Sequence, residues 1–208
     1  PRTSRELVDW VSERIAIPRR EWEELLGNMC RDHGVDPKSF PDLEDRLMKL
    51  YPSEPENPVI VARETLPQMM RSLYGPGKEK SVDARTLAGA PLPGGDKVSG
   101  EETGGGEGPG DLIGQWLQFY GPVPVEFIGE TFGIDPERLE WIVEDLTDSQ
   151  KIGQGQLVTG GRPNEVCDGE NFEMLLRRVR IEAASTFEPL GIERLPLFLA
   201  DYQGIANP

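Results

Sequence analysis

A glycine-rich stretch divides the sequence and limits how much of it can join one hydrophobic core. Between residues 78 and 110 there are nine glycines and three prolines, and large apolar side chains are almost absent. Such a stretch cannot bury enough apolar surface to offset the conformational entropy lost on ordering. We therefore expect residues 75–110 to form a flexible linker, or a loop that only a partner orders.

The segment before the linker, residues 1–74, is predicted to be an N-terminal helical lobe. Thr3 begins a Thr-x-x-Glu pattern, which is typical of a capping box at the start of a helix. A second apolar stripe follows Pro18, and Cys30 falls on it, so we expect a buried thiol there. A third helix is predicted from the spacing of Leu43, Leu47 and Leu50.

The segment after the linker follows the order of a winged helix over residues 111–169. Three amphipathic helical stretches precede a glycine-containing hairpin. Asp135 is a suitable N-cap for the third helix, and Pro136 suits its first turn. Residues 170–208 are predicted to be C-terminal helices. The predicted fold class is therefore α+β, mainly α with a small amount of β.

The charge of the chain is strongly negative and unevenly distributed. It has 22 basic and 37 acidic side chains, which give a formal net charge of −15, and residues 111–150 hold nine acidic side chains but one basic. Such a surface repels nucleic acid on average. No apolar run approaches the ~20 residues of a membrane helix. The two cysteines cannot form a disulfide framework, which favours a reducing cytoplasm.

A winged helix places its base-contacting residues on its third helix. In this chain that helix is poorly suited to contact DNA. Its exposed positions are dominated by carboxylates, which phosphate repels, with Arg138 as the basic exception. We expect this helix to pack on protein or to stay solvated. Trp141 falls at the edge of the apolar stripe and is predicted to be an exposed aromatic residue. The acidic positions are Glu137, Glu140, Glu144, Asp145 and Asp148.

The best candidates for nucleic-acid contact are five basic residues near or after the hairpin. Lysine and arginine bind phosphate by charge, and the planar guanidinium group of arginine matches its geometry. The alternative is that these side chains pair with neighbouring glutamates on their own helix. No catalytic residue is predicted. No metal site is predicted either, because Cys30 and His33 form only one potential ligand pair. The candidates are Lys151, Arg162, Arg177, Arg178 and Arg180.

Several stretches of residues 111–208, taken in order, resemble the accessory region of the large helicase-related (Lhr) family. They are Phe119-Tyr-Gly-Pro122, Gly133 between two helices, Gly153 in a hairpin, Glu165-Val-Cys-Asp168, and Phe198-Leu-Ala-Asp-Tyr-Gln-Gly204. Tyr202 stands where the family often has tryptophan, and Val166 replaces another frequent tryptophan. Members of this family are superfamily 2 ATP-dependent DNA helicases, some in DNA repair, whose motor is followed by winged-helix and helical modules.

The resemblance implies a non-catalytic accessory module, because the sequence has neither a Walker A phosphate loop nor an acidic Mg²⁺-binding motif. ATP and Mg²⁺ would bind the parent motor, not this fragment. Because the chain begins at Pro1, we expect a longer protein whose motor precedes it. The expected partners are that motor and a weakly bound single-stranded or tailed nucleic acid. The alternative that the acidity favours is a protein–protein interaction module.

Overall fold

The computed structural model describes residues 1–34, 36, 39–40, 42–52, 57–74, 82–90, 108–184 and 191–204. Of these residues 57% are helical and 15% are in strands, and the strands form small antiparallel sheets, so the predicted α+β class is confirmed. The chain divides into two compact units, Pro1–Glu173 and Met174–Pro208. None of the described helices has the length and apolar character needed to cross a membrane.

The first half of the larger unit contains a four-stranded antiparallel sheet in the order β1-β3-β2-β4. Thr3 caps α1 as predicted, since its hydroxyl oxygen accepts a hydrogen bond from the Glu6 amide at 3.2 Å. The elements are α1 (Ser4–Glu13), β1 (Ile17–Pro18), α2 (Arg19–His33), α3 (Leu43–Arg46), β2 (Leu47–Tyr51), β3 (Val59–Ala62), α4 (Leu66–Tyr74) and β4 (Asp83–Thr86).

The prediction of a third helix through Leu50 is wrong. The helix α3 ends at Arg46, and the chain continues directly into β2. The strand β2 lies between β3 and β4, and both of its faces are buried: Leu47 joins the core under α1 and α2, while Met48 and Leu50 join the core on the opposite face. A strand buried on both faces loses its period of two, so its apolar spacing resembles that of a helix. The predicted "helical lobe" is therefore a helix-and-sheet layer.

The predicted linker over residues 75–110 also contains regular structure. Asp83–Thr86 pair with β2 as an edge strand, and Pro109 begins the next helix. Large apolar side chains are not needed for this pairing, because it depends on backbone hydrogen bonds. Residues 75–81 and 91–107 lie outside the described part of the chain, so the interpretation of those ranges as a linker stays a prediction.

The second half of the larger unit has the helix–strand–helix–helix–strand–strand order of a winged helix. Its three-stranded sheet has the antiparallel order β5-β7-β6. The helix α7 begins after Asp135 with Pro136 at its first position, as predicted, but the Asp135 side chain makes no capping hydrogen bond. The elements are α5 (Pro109–Leu117), β5 (Val123–Pro124), α6 (Val125–Phe132), α7 (Pro136–Asp148), β6 (Ile152–Gly155) and β7 (Glu165–Asp168).

The first half repeats this arrangement, which the sequence reasoning missed. The series α1-β1-α2-α3-β2-β3 has the same element order, and its sheet order β1-β3-β2 matches β5-β7-β6. The helices α2 and α6 both follow a strand that ends in proline, and both end at a left-handed glycine, Gly34 or Gly133. The sequence reads Gly-Val-Asp-Pro from Gly34 and Gly-Ile-Asp-Pro from Gly133. The larger unit is therefore a tandem pair of winged-helix-like repeats.

Three buried or half-buried hydrogen bonds join the second repeat to the first repeat and to α4, which follows it. The Trp116 indole N–H donates to the carbonyl oxygen of Ala16 at 2.8 Å, and the Tyr74 hydroxyl donates to the carbonyl oxygen of Phe132 at 2.5 Å. The Tyr120 hydroxyl donates to Oε2 of Glu21 at 2.9 Å. Burial raises the pKa of the Glu21 carboxyl, an effect that this hydrogen bond partly opposes. The interface between the repeats thus contains both hydrogen bonds and apolar contacts.

The smaller unit consists of the second part of α8 (Gly169–Ala183), a 3₁₀ turn (Ile192–Arg194) and α9 (Leu195–Tyr202). None of the described residues in α8 or α9 is buried. The rings of Phe198 and Tyr202 stack with centroids 6.1 Å apart. The segment thus contains the helices that were predicted for residues 170–208.

Substitution of the glycines that end α2 and α6 tests the contact between the repeats. Gly34→Ala should cost about 1 kcal/mol, because a Cβ is strained at a φ of +63° but meets no atom within 4 Å. Gly133→Ala should cost at least about 1 kcal/mol more, because at nearly the same φ its Cβ would lie 2.8 Å from the carbonyl carbon of Pro52. Urea unfolding measures both; equal losses would contradict the close approach of the repeats.

Candidate protein-docking surface

Two of the five predicted nucleic-acid ligands belong to the larger unit, and both have carboxylate neighbours. The Lys151 ammonium lies 2.7 Å from Oδ1 of Asp111, and the Arg162 guanidinium lies 3.9 Å from Oε2 of Glu126. The hydrogen bond with Asp111 raises the pKa of Lys151, and the same bond lowers the pKa of Asp111. A phosphate would have to compete with these carboxylates, so neither residue is a strong isolated anion site.

The other three predicted ligands lie on the part of α8 that belongs to the smaller unit. Arg178 pairs with Glu182 one turn later, at 3.2 Å. Arg177 and Arg180 are three residues apart and therefore neighbours on the helix. The described residues offer no carboxylate within ion-pair distance of Arg180. The five candidates are thus distributed over two units.

The outer surface of α7 is acidic, as the sequence predicts. Its apolar residues pack into the core, while the five carboxylate-bearing residues of the helix are exposed and Arg138 is half-buried. Trp141 is also exposed as predicted, with 73% of its surface accessible. The carboxylates make this surface unfavourable for phosphate, while an accessible tryptophan is a residue type that is enriched in protein interfaces. The buried residues are Leu139, Ile142, Val143 and Leu146.

A groove of about 800 Å³ runs between α6, α7 and the β6–β7 hairpin. Its apolar surface comes from aliphatic side chains of both helices and the turn between them, and five carboxylates surround it. None of the described lysines or arginines lines it. The apolar contributors are Val125, Ile134, Pro136, Leu139 and Val143, the acidic ones Glu126, Glu130, Glu140, Glu144 and Asp148, and the remaining ones Gly129, Thr147, Gln154 and Asn164.

The shape of the groove depends on a glycine in α6. A Cβ on Gly129 would lie 3.2 Å from Cδ2 of Leu139. The absence of this Cβ lets α6 approach α7 closely, and the two helices then present one continuous apolar surface. The sequence reasoning did not identify this groove, because its walls come from three separate elements.

The acidic residues of α7 repel one another. Glu140, Glu144 and Asp148 follow at intervals of four, so their carboxylates lie along one side of the helix. Within the part of the chain that the structure describes, none of the three has an ion-pair partner. Like charges at this spacing destabilise a helix. Their spacing was the one signal in the sequence that pointed to the groove.

The hairpin that forms the third wall is held by a buried carboxylate. The side chain of Glu165 accepts hydrogen bonds from the amides of Leu157 and Val158 at 3.0 Å each, and from the amide of Arg162 at 3.2 Å. These bonds satisfy the backbone donors of the connection between β6 and β7. The connection therefore has a defined shape, and Asn164 at its end reaches the groove.

The described residues contain no group of three His, Cys, Asp or Glu side chains placed to hold a metal ion. Cys30 is exposed rather than buried as predicted, because the buried position of that turn of α2 is taken by Met29. Cys167 is buried, and desolvation together with the Asp168 charge raises the pKa of its thiol to about 11. A thiol with this pKa stays protonated near neutrality and is a poor nucleophile.

No protein-family model matches this chain, and no curated protein or solved structure is detectably similar to it.

Neutralising the middle carboxylate of α7 should stabilise the protein. Glu144→Gln removes two like-charge contacts, with Glu140 and Asp148, and should raise the free energy of unfolding by about 0.5 kcal/mol at low salt. Added salt should remove this gain by screening. The matched control is Glu23→Gln on α2, which breaks the Arg19–Glu23 ion pair of 2.7 Å and should lower stability slightly. A loss of stability in the Glu144 variant would show that its carboxylate has a favourable partner.

Proposed function

We propose that this chain is a non-catalytic accessory module that acts by docking on protein, and that its partner is the motor of an Lhr-like ATP-dependent helicase. The observation that carries the proposal is the surface of α7, which bears carboxylates and an exposed tryptophan where a DNA-reading winged helix bears basic and polar groups. Aromatic residues are enriched in the energetic centres of protein interfaces.

Charge argues against α7 as a nucleic-acid reader. Each phosphate contact gains free energy by releasing condensed counterions, which requires cations on the protein surface. The basic residue of α7, Arg138, is only half-exposed, and the nearby Lys151 and Arg162 lie beside carboxylates. A protein surface with a basic patch would be attracted by these carboxylates. The attraction would speed its association by electrostatic steering.

The resemblance to the Lhr accessory region supplies the proposed identity of the partner. A module of that family without ATPase motifs would brace the motor or guide the strand that the motor moves, while ATP and Mg²⁺ bind the motor. The cytoplasm remains the proposed compartment, and the free thiols of both cysteines support it.

The exposed tryptophan provides a direct test of docking. Trp141→Ala should weaken binding of the full chain to the superfamily 2 motor of the same organism by at least about tenfold, as expected for a central aromatic anchor. Its unfolding midpoint should hardly change, because the side chain is 73% exposed. Titration calorimetry measures the affinity. If the wild-type chain does not bind the motor, the proposed partner is wrong.

A second candidate function, guidance of a single strand by α8, is favoured by the exposure of Arg180 and its lack of a carboxylate partner among the described residues. On this hypothesis, Arg177→Ala with Arg180→Ala should weaken single-strand binding and make the slope of log K against log salt shallower by roughly 1.4, for two phosphates. Arg138→Ala on α7 is the control and should change neither. Fluorescence anisotropy over a salt series measures both, and an unchanged slope in the double variant would exclude strand guidance by α8.

A further inference from the structure

We propose that the groove between α6, α7 and the β6–β7 hairpin binds a basic amphipathic helix of another protein. The inference rests on the proposed docking function and names the chemistry of the partner segment. It follows from three properties of the groove: its volume, its apolar floor and its ring of carboxylates.

The volume sets the size of the occupant. About 800 Å³ is far more than one side chain fills and is typical of a site that takes several groups at once. Two of the three walls are helices that run along it, α6 and α7. A third helix laid against such a pair can insert side chains from positions i, i+3 or i+4, and i+7 into one groove.

The floor requires apolar side chains on the occupant. Ile134, Leu139 and Val143 belong to the core of the protein, and their outward atoms form the groove surface together with Val125 and Pro136. A purely polar polycation would leave this surface in contact with water. Leucine or isoleucine side chains would remove it from water, at about 25 cal/mol per Å² of apolar area.

The carboxylates at the edge of the groove require positive charge on the occupant. Five carboxylates line the groove, of which Glu126 lies 3.9 Å from the Arg162 guanidinium, and none of the described lysines or arginines belongs to the lining. Lysines or arginines that flank the apolar face of a helix would meet Glu140, Glu144 and Asp148 along α7. Binding would also relieve the mutual repulsion of these three carboxylates, so the helix would gain stability in the complex. Nucleic acid is excluded because it has the wrong sign of charge.

Three synthetic helices separate the contributions. The first, of about 15 residues, has leucines along one face and lysines on both flanks; the second keeps the leucines and replaces lysine by glutamate; the third keeps the lysines and replaces leucine by serine. Titration calorimetry with the full chain should detect binding of the first peptide, weakened by salt, and at least about tenfold weaker binding of the other two. Equal binding of all three would overturn the proposal.

Matched variants distinguish the groove from the net charge of the protein. Glu140→Gln with Glu144→Gln should weaken binding of the first peptide at least about tenfold. Glu23→Gln with Glu24→Gln changes the net charge equally on α2, outside the groove, and should leave the affinity within about twofold. Equal losses in the two double variants would show attraction by overall charge and would overturn the proposal.

Two further measurements separate this inference from the proposed function. If the basic peptide does not bind in the groove but the motor binds the Glu140/Glu144 variant as tightly as the wild type, the inference falls while motor docking stands. If the basic peptide binds in the groove but the motor does not bind at all, the inference stands and the proposed partner falls. Sedimentation that shows self-association abolished by the same variant would assign the groove to a second copy of the chain and overturn the inference.

Discussion

The hydrogen bond from the Trp116 indole to the carbonyl oxygen of Ala16 fixes the relation between the two repeats. Trp116 is completely buried, and its ring lies 4.2 Å from that of Tyr120 and 5.1 Å from that of Phe132, measured between centroids. One side chain therefore joins α5 and α6 of the second repeat to the turn that precedes β1 of the first. Because Met48 and Leu50 of the first sheet belong to the same buried apolar cluster as the helices of the second repeat, the two repeats share a core.

The two repeats have the same order of elements but differ in their helix lengths. The second helix is the long one in the first repeat, with 15 residues in α2, and the third helix is the long one in the second repeat, with 13 residues in α7. A long α7 beside a short α6 of eight residues creates a groove with one extended wall. In the first repeat α3 has four residues, which is too short to form a comparable wall among the residues that the structure describes there.

The parts of the fold that the sequence predicted correctly are those whose signals are local. Helices such as α1 and α7 have an apolar stripe of their own; α1 begins at the Thr3 cap, and α7 begins at Pro136, although the Asp135 side chain makes no capping hydrogen bond. The strand β2 was missed because burial on both faces erased its alternation, and β4 because an edge strand depends on backbone pairing. The groove was missed because Gly129, α7 and the hairpin meet only in the tertiary structure. The repeat, by contrast, was readable from its two Gly-x-Asp-Pro sequences.

The separation of the core from the acidic surface explains how α7 tolerates its charges. The inner face of the helix, through Leu139, Val143 and Leu146, supplies apolar burial that contributes far more than the few tenths of a kcal/mol lost per like-charge pair. The outer face is therefore free to hold Glu140, Glu144 and Asp148 without threatening the fold. Selection for stability alone would favour alternating charges at these positions. Their uniform sign, next to an apolar groove, is the feature on which the proposed basic partner helix depends.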